Sequence, residues 1–250
     1  MRPDAEKAAG FVAEMVATRL RSEPRAVLGL ATGRTMEPVY ARLVAMHRAG
    51  LSFAGCWTFN LDEYVGLSAD DPRSYRATMD RLLFGPVDAV RVRTAVPDGM
   101  AADPELEAAR YEAAIAAAGG IGLQVLGIGE TGHIGFNEPP SPLGSRTRVV
   151  TLTAQTRAQN APMFGGDPGA VPLRAITMGV GTILEAREIV LLATGEAKSQ
   201  VLVRALEGKV TPDVSASALQ GHGRCVVVAD AAAARLVLGG DTEKLGSTTL

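Results

Sequence analysis

The sequence predicts an α/β protein with a mostly parallel central sheet flanked by helices. Three observations predict it. Several short runs are apolar throughout, as strands buried on both faces must be. Between them lie segments with the 3.6-residue period of amphipathic helices. Each apolar run ends in a turn that leads straight into the next helical segment, the signature of repeated βαβ units.

Taken in order, Ala8, Phe11, Val12, Met15 and Val16 define a first amphipathic helix. The run Ala26 to Ala31 reads as a buried strand bounded by Pro24 and Gly33, and Met36, Val39, Tyr40, Leu43 and Val44 restore the helical period. Residues 56–61 read as a second strand, 72–83 as a helix, and 104–118, rich in Ala and Glu, as a strong helix. Residues 122–128 form another buried strand that breaks into a loop over 129–147. Strand 188–194 is followed by helix 196–206, and strand 224–229 by helix 231–238, leaving a polar tail over 239–250. No Pro/Ser-rich or charged linker divides the 250 residues, so one domain spanning 1–250 is expected.

Composition excludes several function classes. The 25 basic and 27 acidic residues are evenly mixed, without the clustered basic face that nucleic acid or an anionic membrane requires. No apolar run approaches a bilayer span, and the N-terminus meets charged residues rather than a signal core, so a cytoplasmic protein is expected. Cys56 and Cys225 each open a strand-like run and read as small buried hydrophobes, not a disulfide or zinc pair. With three histidines, His47, His133 and His222, no metal centre is expected.

In such sheets chemistry belongs at the carboxyl ends of the strands. Four post-strand segments qualify. Thr32-Gly33-Arg34-Thr35 opens a helix and offers amides and hydroxyls to an anion, or is an ordinary βα turn with Thr35 as its cap. Asp62 and Glu63 close an apolar strand; one is a proton shuttle, or Asp62 caps a turn and Glu63 faces solvent. His133 lies in a glycine-dense loop with Glu138 five residues on, the pairing used for acid/base work near neutrality. Lys198 falls in the first turn of a helix, where a cation gains from an anionic ligand, or is a solvated surface Lys.

Together these segments closely resemble the glucosamine-6-phosphate deaminase (isomerase) family. The matching text is LATGRT at 30–35, TFNLDEYVGL at 58–67, GHIGFNEP at 132–139, SRTR at 145–148, GVGTILEAREIVLL at 179–192, TGEAK at 194–198 and SASAL at 215–219. The resemblance implies a three-layer Rossmann-like fold with no cofactor or metal. It implies conversion of an amino-sugar 6-phosphate to the ketose 6-phosphate and ammonia. Asp62 would carry the proton between C2 and C1, His133 would open the ring, and Glu138 would orient and charge-tune His133. Thr32, Gly33, Thr35 and Lys198 would hold the phosphate. Small-molecule sugar phosphates are the expected partners; assembly with further copies of the chain is left open.

The sequence departs from the family at defined points. Thr131 stands where an Asp usually precedes the histidine by two residues, as in the galactosamine-6-phosphate branch, so the sugar epimer stays open. Pro162 replaces a phosphate-binding Arg, and Arg34 fills a position usually small, so Arg34 is expected to supply the guanidinium. Ser141 and Arg148 match the family's allosteric set but Pro142 and Val150 do not, so activation by an N-acetylated sugar phosphate is expected to be weak or absent. The alternatives carried forward are the galactosamine enzyme, a 6-phosphogluconolactonase and a non-catalytic sugar-phosphate-binding protein. The segment 160–172, rich in Gly and Pro, reads either as a lid or as a static loop.

Overall fold

A computed structural model describes residues 1–237; the expected end of the last helix at Leu238 and the tail 239–250 lie outside the described residues. The main sheet has six parallel strands in the order β4-β2-β1-β5-β8-β9. These are β1 (Val27–Leu30), β2 (Trp57–Asn60), β4 (Thr94–Ala95), β5 (Leu123–Leu126), β8 (Glu188–Ala193) and β9 (Cys225–Ala229). In β1 and β5 every residue is buried, as strands covered on both faces must be, including Gln124 in β5, whose Nε2 donates to Val125 O at 2.9 Å.

The flanking helices are α1 (Ala5–Ser22), α2 (Glu37–Arg48), α3 (Tyr75–Met79), α4 (Pro104–Ala117), α5 (Ala154–Asn160), α6 (Val180–Leu184), α7 (Ser199–Leu206) and α8 (Ala231–Ala234). Sequence chemistry sets their starts. Asp4, Ser74, Asp103, Thr153 and Asp230 each accept a first-turn N–H, satisfying donors that the helix itself cannot. The helix expected over 72–83 begins at Tyr75 because Ser74 caps it, and it continues as a π turn through Asp80–Phe84. The segment expected as helix from 196 starts as a 3-10 turn at Glu196–Lys198.

Some expectations are corrected. Phe11, read as a core position, is 37% exposed, with the Arg2 guanidinium carbon 3.7 Å from its ring centroid. Cys56 is buried but Cys225 is only half-buried, and neither is bonded to the other. Thr35 does not cap α2: Met36 is the cap residue, without a side-chain bond.

A second, antiparallel sheet of β3 (Asp62–Tyr64), β7 (Arg174–Thr177) and β6 (Arg148–Thr151), in that order, was not expected. Its strands are three or four residues long and mix polar with apolar residues, too short for a periodicity signal. Leu61 joins the two sheets. Its N–H donates to Leu30 O at 3.0 Å and its carbonyl accepts from Met178 N at 2.7 Å. The chain thus crosses between sheets one residue before Asp62, which pairs in register with Thr177. That seam positions the site.

Candidate active site

A cavity of about 250 Å³ opens at the carboxyl ends of β1, β2 and β5. Thr32, Gly33 and Thr35 line it from the turn after β1, and Asp62 from the seam. His133 and Phe136 enter from the glycine loop after β5, and Lys198 from the turn after β8. Four segments far apart in sequence therefore meet at one hole, as the strand order 2-1-5-8 at the centre of the sheet requires.

Asp62 is 6% exposed and, among the described residues, no donor reaches its carboxylate. Desolvation, with the neighbouring Glu63 charge adding to it, pushes its pKa up to about 8. The glycine loop closes on it: a Cβ at Gly135, where φ is +57°, would lie 2.9 Å from Thr177 Oγ1 and 3.5 Å from Asp62 Oδ2. Only glycine adopts that backbone so close to the carboxylate without strain.

His133 is half-buried, with Thr131 Oγ1 at 2.7 Å from its Nδ1. Its ring packs over Gly129, where a Cβ would sit 2.2 Å from the imidazole. Burial lowers its pKa, and Lys198 adds to that, while Glu138 and Glu130 act the other way. Glu138 does not touch the imidazole. Its carboxylate accepts from Thr153 N at 3.0 Å, Thr153 Oγ1 at 2.5 Å and Thr156 Oγ1, so it binds the start of α5 instead. The direct orienting bond expected from Glu138 is made in this structure by Thr131.

Lys198 is half-buried, and desolvation lowers its pKa while Glu130 opposes the shift. Thr32 and Thr35 are half-buried on the wall. Arg34 is exposed and is not part of that wall, so the guanidinium expected from it is not offered to the cavity; α2 starts just after it, with Glu37 N donating to Arg34 O at 3.3 Å. Glu63 does not face solvent either. It is 2% exposed, and its carboxylate accepts three backbone N–H groups.

Sequence reasoning missed part of the wall. Tyr75 of α3 and Thr156, Gln159 and Asn160 of α5 all line the cavity. The only signal for α5 was Thr153 standing where a helix cap would, with Thr156 N donating to its Oγ1 at 3.2 Å. Gln159 Nε2 donates to Glu130 Oε2 at 2.7 Å, tying α5 to the glycine loop after β5. Pro162 sits in the 3-10 turn Ala161–Phe164 just beyond. No group of His, Cys, Asp and Glu among the described residues is arranged to hold a metal ion.

The family model described as glucosamine-6-phosphate isomerases/6-phosphogluconolactonase matches residues 4–227. The chain belongs to this family. It is 52% identical over 236 residues to the glucosamine-6-phosphate deaminase of Rhodopirellula baltica, covering 94% of each chain. It is 46% identical to that of Bacillus velezensis, over 94% of this chain and 95% of the relative. A solved monomeric glucosamine-6-phosphate deaminase superposes with a TM-score of 0.91 at 42% identity, over 94% of this chain and 100% of that one. A 6-phosphogluconolactonase from Trypanosoma brucei shares the fold, with a TM-score of 0.74, but only 20% identity. The three-layer α/β architecture is therefore that of the family. No helix among the described residues is long and apolar enough to cross a membrane.

Proposed function

We propose that the chain is a glucosamine-6-phosphate deaminase, acting as a single α/β domain in the cytoplasm and using no cofactor. The observation that carries the reading is one cavity lined by a buried, donor-free Asp62 carboxylate, the His133 imidazole and Lys198. Relatives of that name at about half identity over nearly the whole chain support it.

The chemistry follows from the groups. Lys198, with the Thr32 and Thr35 hydroxyls and the Gly33 amide, holds the 6-phosphate at one end, so that binding energy remote from the reacting carbons orients them. His133, neutral because burial lowers its pKa, takes the C1 hydroxyl proton and delivers a proton to the ring oxygen as the C1–O bond breaks. The free aldehyde then has an acidic C2–H. Asp62 removes that proton to give an enolamine and returns it to C1, which leaves C2 as an iminium. Water adds to the iminium and ammonia leaves, giving fructose 6-phosphate. One carboxylate serves both carbons because C1 and C2 are adjacent, and its raised pKa makes it a stronger base than an exposed Asp. Thr131 holds Nδ1 of His133. A hydroxyl can donate to or accept from that nitrogen, so it permits the Nε2–H tautomer that a carboxylate at the same place would disfavour.

The test is ammonia release measured side by side on glucosamine 6-phosphate and galactosamine 6-phosphate, with lactone hydrolysis on 6-phosphogluconolactone. Turnover of the glucosamine substrate at least tenfold above the others supports the reading. Preference for galactosamine 6-phosphate, lactone hydrolysis alone, or binding without turnover would each replace it with one of the alternatives.

A further inference from the structure

Asp62 and Glu63 follow one another in β3, so their side chains leave opposite faces of the strand. Asp62 enters the substrate cavity, and Glu63 lines a second cavity with Arg76, Arg91 and Asp98. The proton-transfer chemistry proposed above makes no use of Glu63, yet it is among the most completely buried and bonded acids of the chain. Its Oε1 accepts from Tyr64 N at 2.8 Å and Tyr75 N at 3.0 Å, and its Oε2 from Arg76 N at 2.8 Å. Tyr75 and Arg76 are the first two residues of α3, and Ser74 Oγ accepts from Ala77 N at 3.0 Å. Glu63 and Ser74 together thus satisfy the first three N–H groups of this helix, with the carboxylate at its positive end.

What that turn carries is the reason it matters. The Tyr75 ring lines the substrate cavity and stacks on Phe136, also in its wall, at a centroid distance of 6.0 Å and 12° between planes. Tyr75 OH bonds to Tyr64 OH at 3.3 Å. Arg76 fixes the other side of the turn, donating to Thr94 O at 2.6 Å and pairing with Asp80 at 2.9 Å. We propose that Glu63 is a positioning residue for proton transfer at Asp62: its carboxylate holds the α3 turn that presents Tyr75 to the substrate, and its charge, one residue away in the same strand, strengthens Asp62 as a base. The proposal rests on the deaminase reading only for its kinetic arm.

The groups facing the pair are few. Around Asp62 the charged or titratable neighbours are Glu63 itself, the phenols of Tyr40 on α2, Tyr64 on β3, Tyr75 on α3 and Tyr111 on α4, and His133 and Lys198 on the wall of the same cavity. Around Glu63 they are Asp71, the two Tyr64 and Tyr75 phenols, and Arg76, Arg91 and Asp98 across the second cavity, with Arg76 and Arg91 both engaged by Asp80. No cation bonds to either carboxylate among the described residues, so the like-charge coupling between them is not neutralised by a partner.

Two variants separate charge from cap. Glu63→Gln keeps the shape and two of the three acceptor bonds but removes the charge. Glu63→Asp keeps the charge but withdraws it by one methylene from α3. For Glu63→Gln the acid limb of kcat/KM for ammonia release is expected to move down by about one pH unit, as loss of a like charge close by requires. For Glu63→Asp that limb stays within about 0.3 units while kcat falls roughly tenfold, as expected when a positioned group is left loose. A merely structural Glu63 would lower kcat or Tm in both variants and leave the acid limb where the wild type has it; that result overturns the proposal. An infrared carboxyl titration needs no substrate: the Asp62 carboxyl, which ionises with Glu63 already charged, is expected to titrate about one unit lower in Glu63→Gln than in wild type. An unchanged Asp62 titration there overturns the electrostatic part; if Glu63→Gln does not fold, Glu63→Met, also uncharged, serves the same titration. Absence of ammonia release by the wild type would instead count against the deaminase reading, leaving the infrared result to decide on Glu63.

Discussion

Replacing Asp62 by Asn is expected to make the protein more stable, increasingly so as pH rises. Burial, with the neighbouring Glu63 charge, pushes the Asp62 carboxyl up to about 8 in the folded chain, from an ordinary value of 3.8. A carboxyl with a raised folded pKa is protonated in the folded state while already ionised in the unfolded one. Between about pH 4 and 8 the unfolded chain therefore binds fewer protons, and stability falls as pH rises. Below about pH 4 both states are protonated and the effect vanishes; above about pH 8 it is complete. The full displacement corresponds to about 6 kcal/mol, at about 1.4 kcal/mol per pKa unit. Because Asp62 borders an open cavity, water reduces this to about 3 kcal/mol. For a domain of this size that is a Tm gain of about 6 to 12 °C for Asp62→Asn at pH 9, shrinking to nothing near pH 4. The assay is a thermal melt of both proteins at half-unit steps from pH 4 to 9. A gap independent of pH, or a variant less stable than wild type at pH 9, would refute the reasoning.

Lys198→Ala is expected to raise KM on the order of 100-fold, about 3 kcal/mol of lost charge-assisted phosphate contact, with a smaller change in kcat, read by steady-state ammonia release. Thr131→Val removes the hydroxyl on His133 Nδ1 and is expected to cost about tenfold in kcat/KM, with Thr131→Asp moving the His133 limb of the pH profile upward. Arg34→Ala is expected to leave KM within about twofold, since Arg34 is exposed and outside the cavity wall. Because Arg148 is engaged by Asn137 and Ser141 at 2.8 and 3.2 Å, and Pro142 and Val150 line the cavity beside it, an N-acetylated sugar phosphate is expected to leave the shape of the rate curve unchanged.

The parallel sheet was legible because burial on both faces writes an unbroken apolar run, as in Val125 and Leu126 or in the whole of 189–193. The second sheet was not. Asp62, Glu63 and Tyr64 form a strand through pairing with residues more than a hundred positions later, and nothing local marks it. The same limit applied to the site. Asp62, His133 and Lys198 stand in the segments that follow strands β2, β5 and β8, within seven residues of the strand ends, so topology brings them together. The fates of Glu138, Arg34 and Glu63 depended on which helix start lay within reach of each side chain. Glu138 met Thr153 and Thr156, Glu63 met the α3 amides, and Arg34 met only solvent. Tyr75 and Gln159 reached the wall through helix placement, which spacing does not encode.

The most direct measurement is the kcat of ammonia release by folded Asp62→Asn at pH 8, alongside wild type on glucosamine 6-phosphate. If one carboxylate carries the proton between adjacent carbons, the rate falls on the order of 10⁴-fold with little change in substrate binding. A variant that keeps a tenth or more of the wild-type rate would mean that the proton travels by another group.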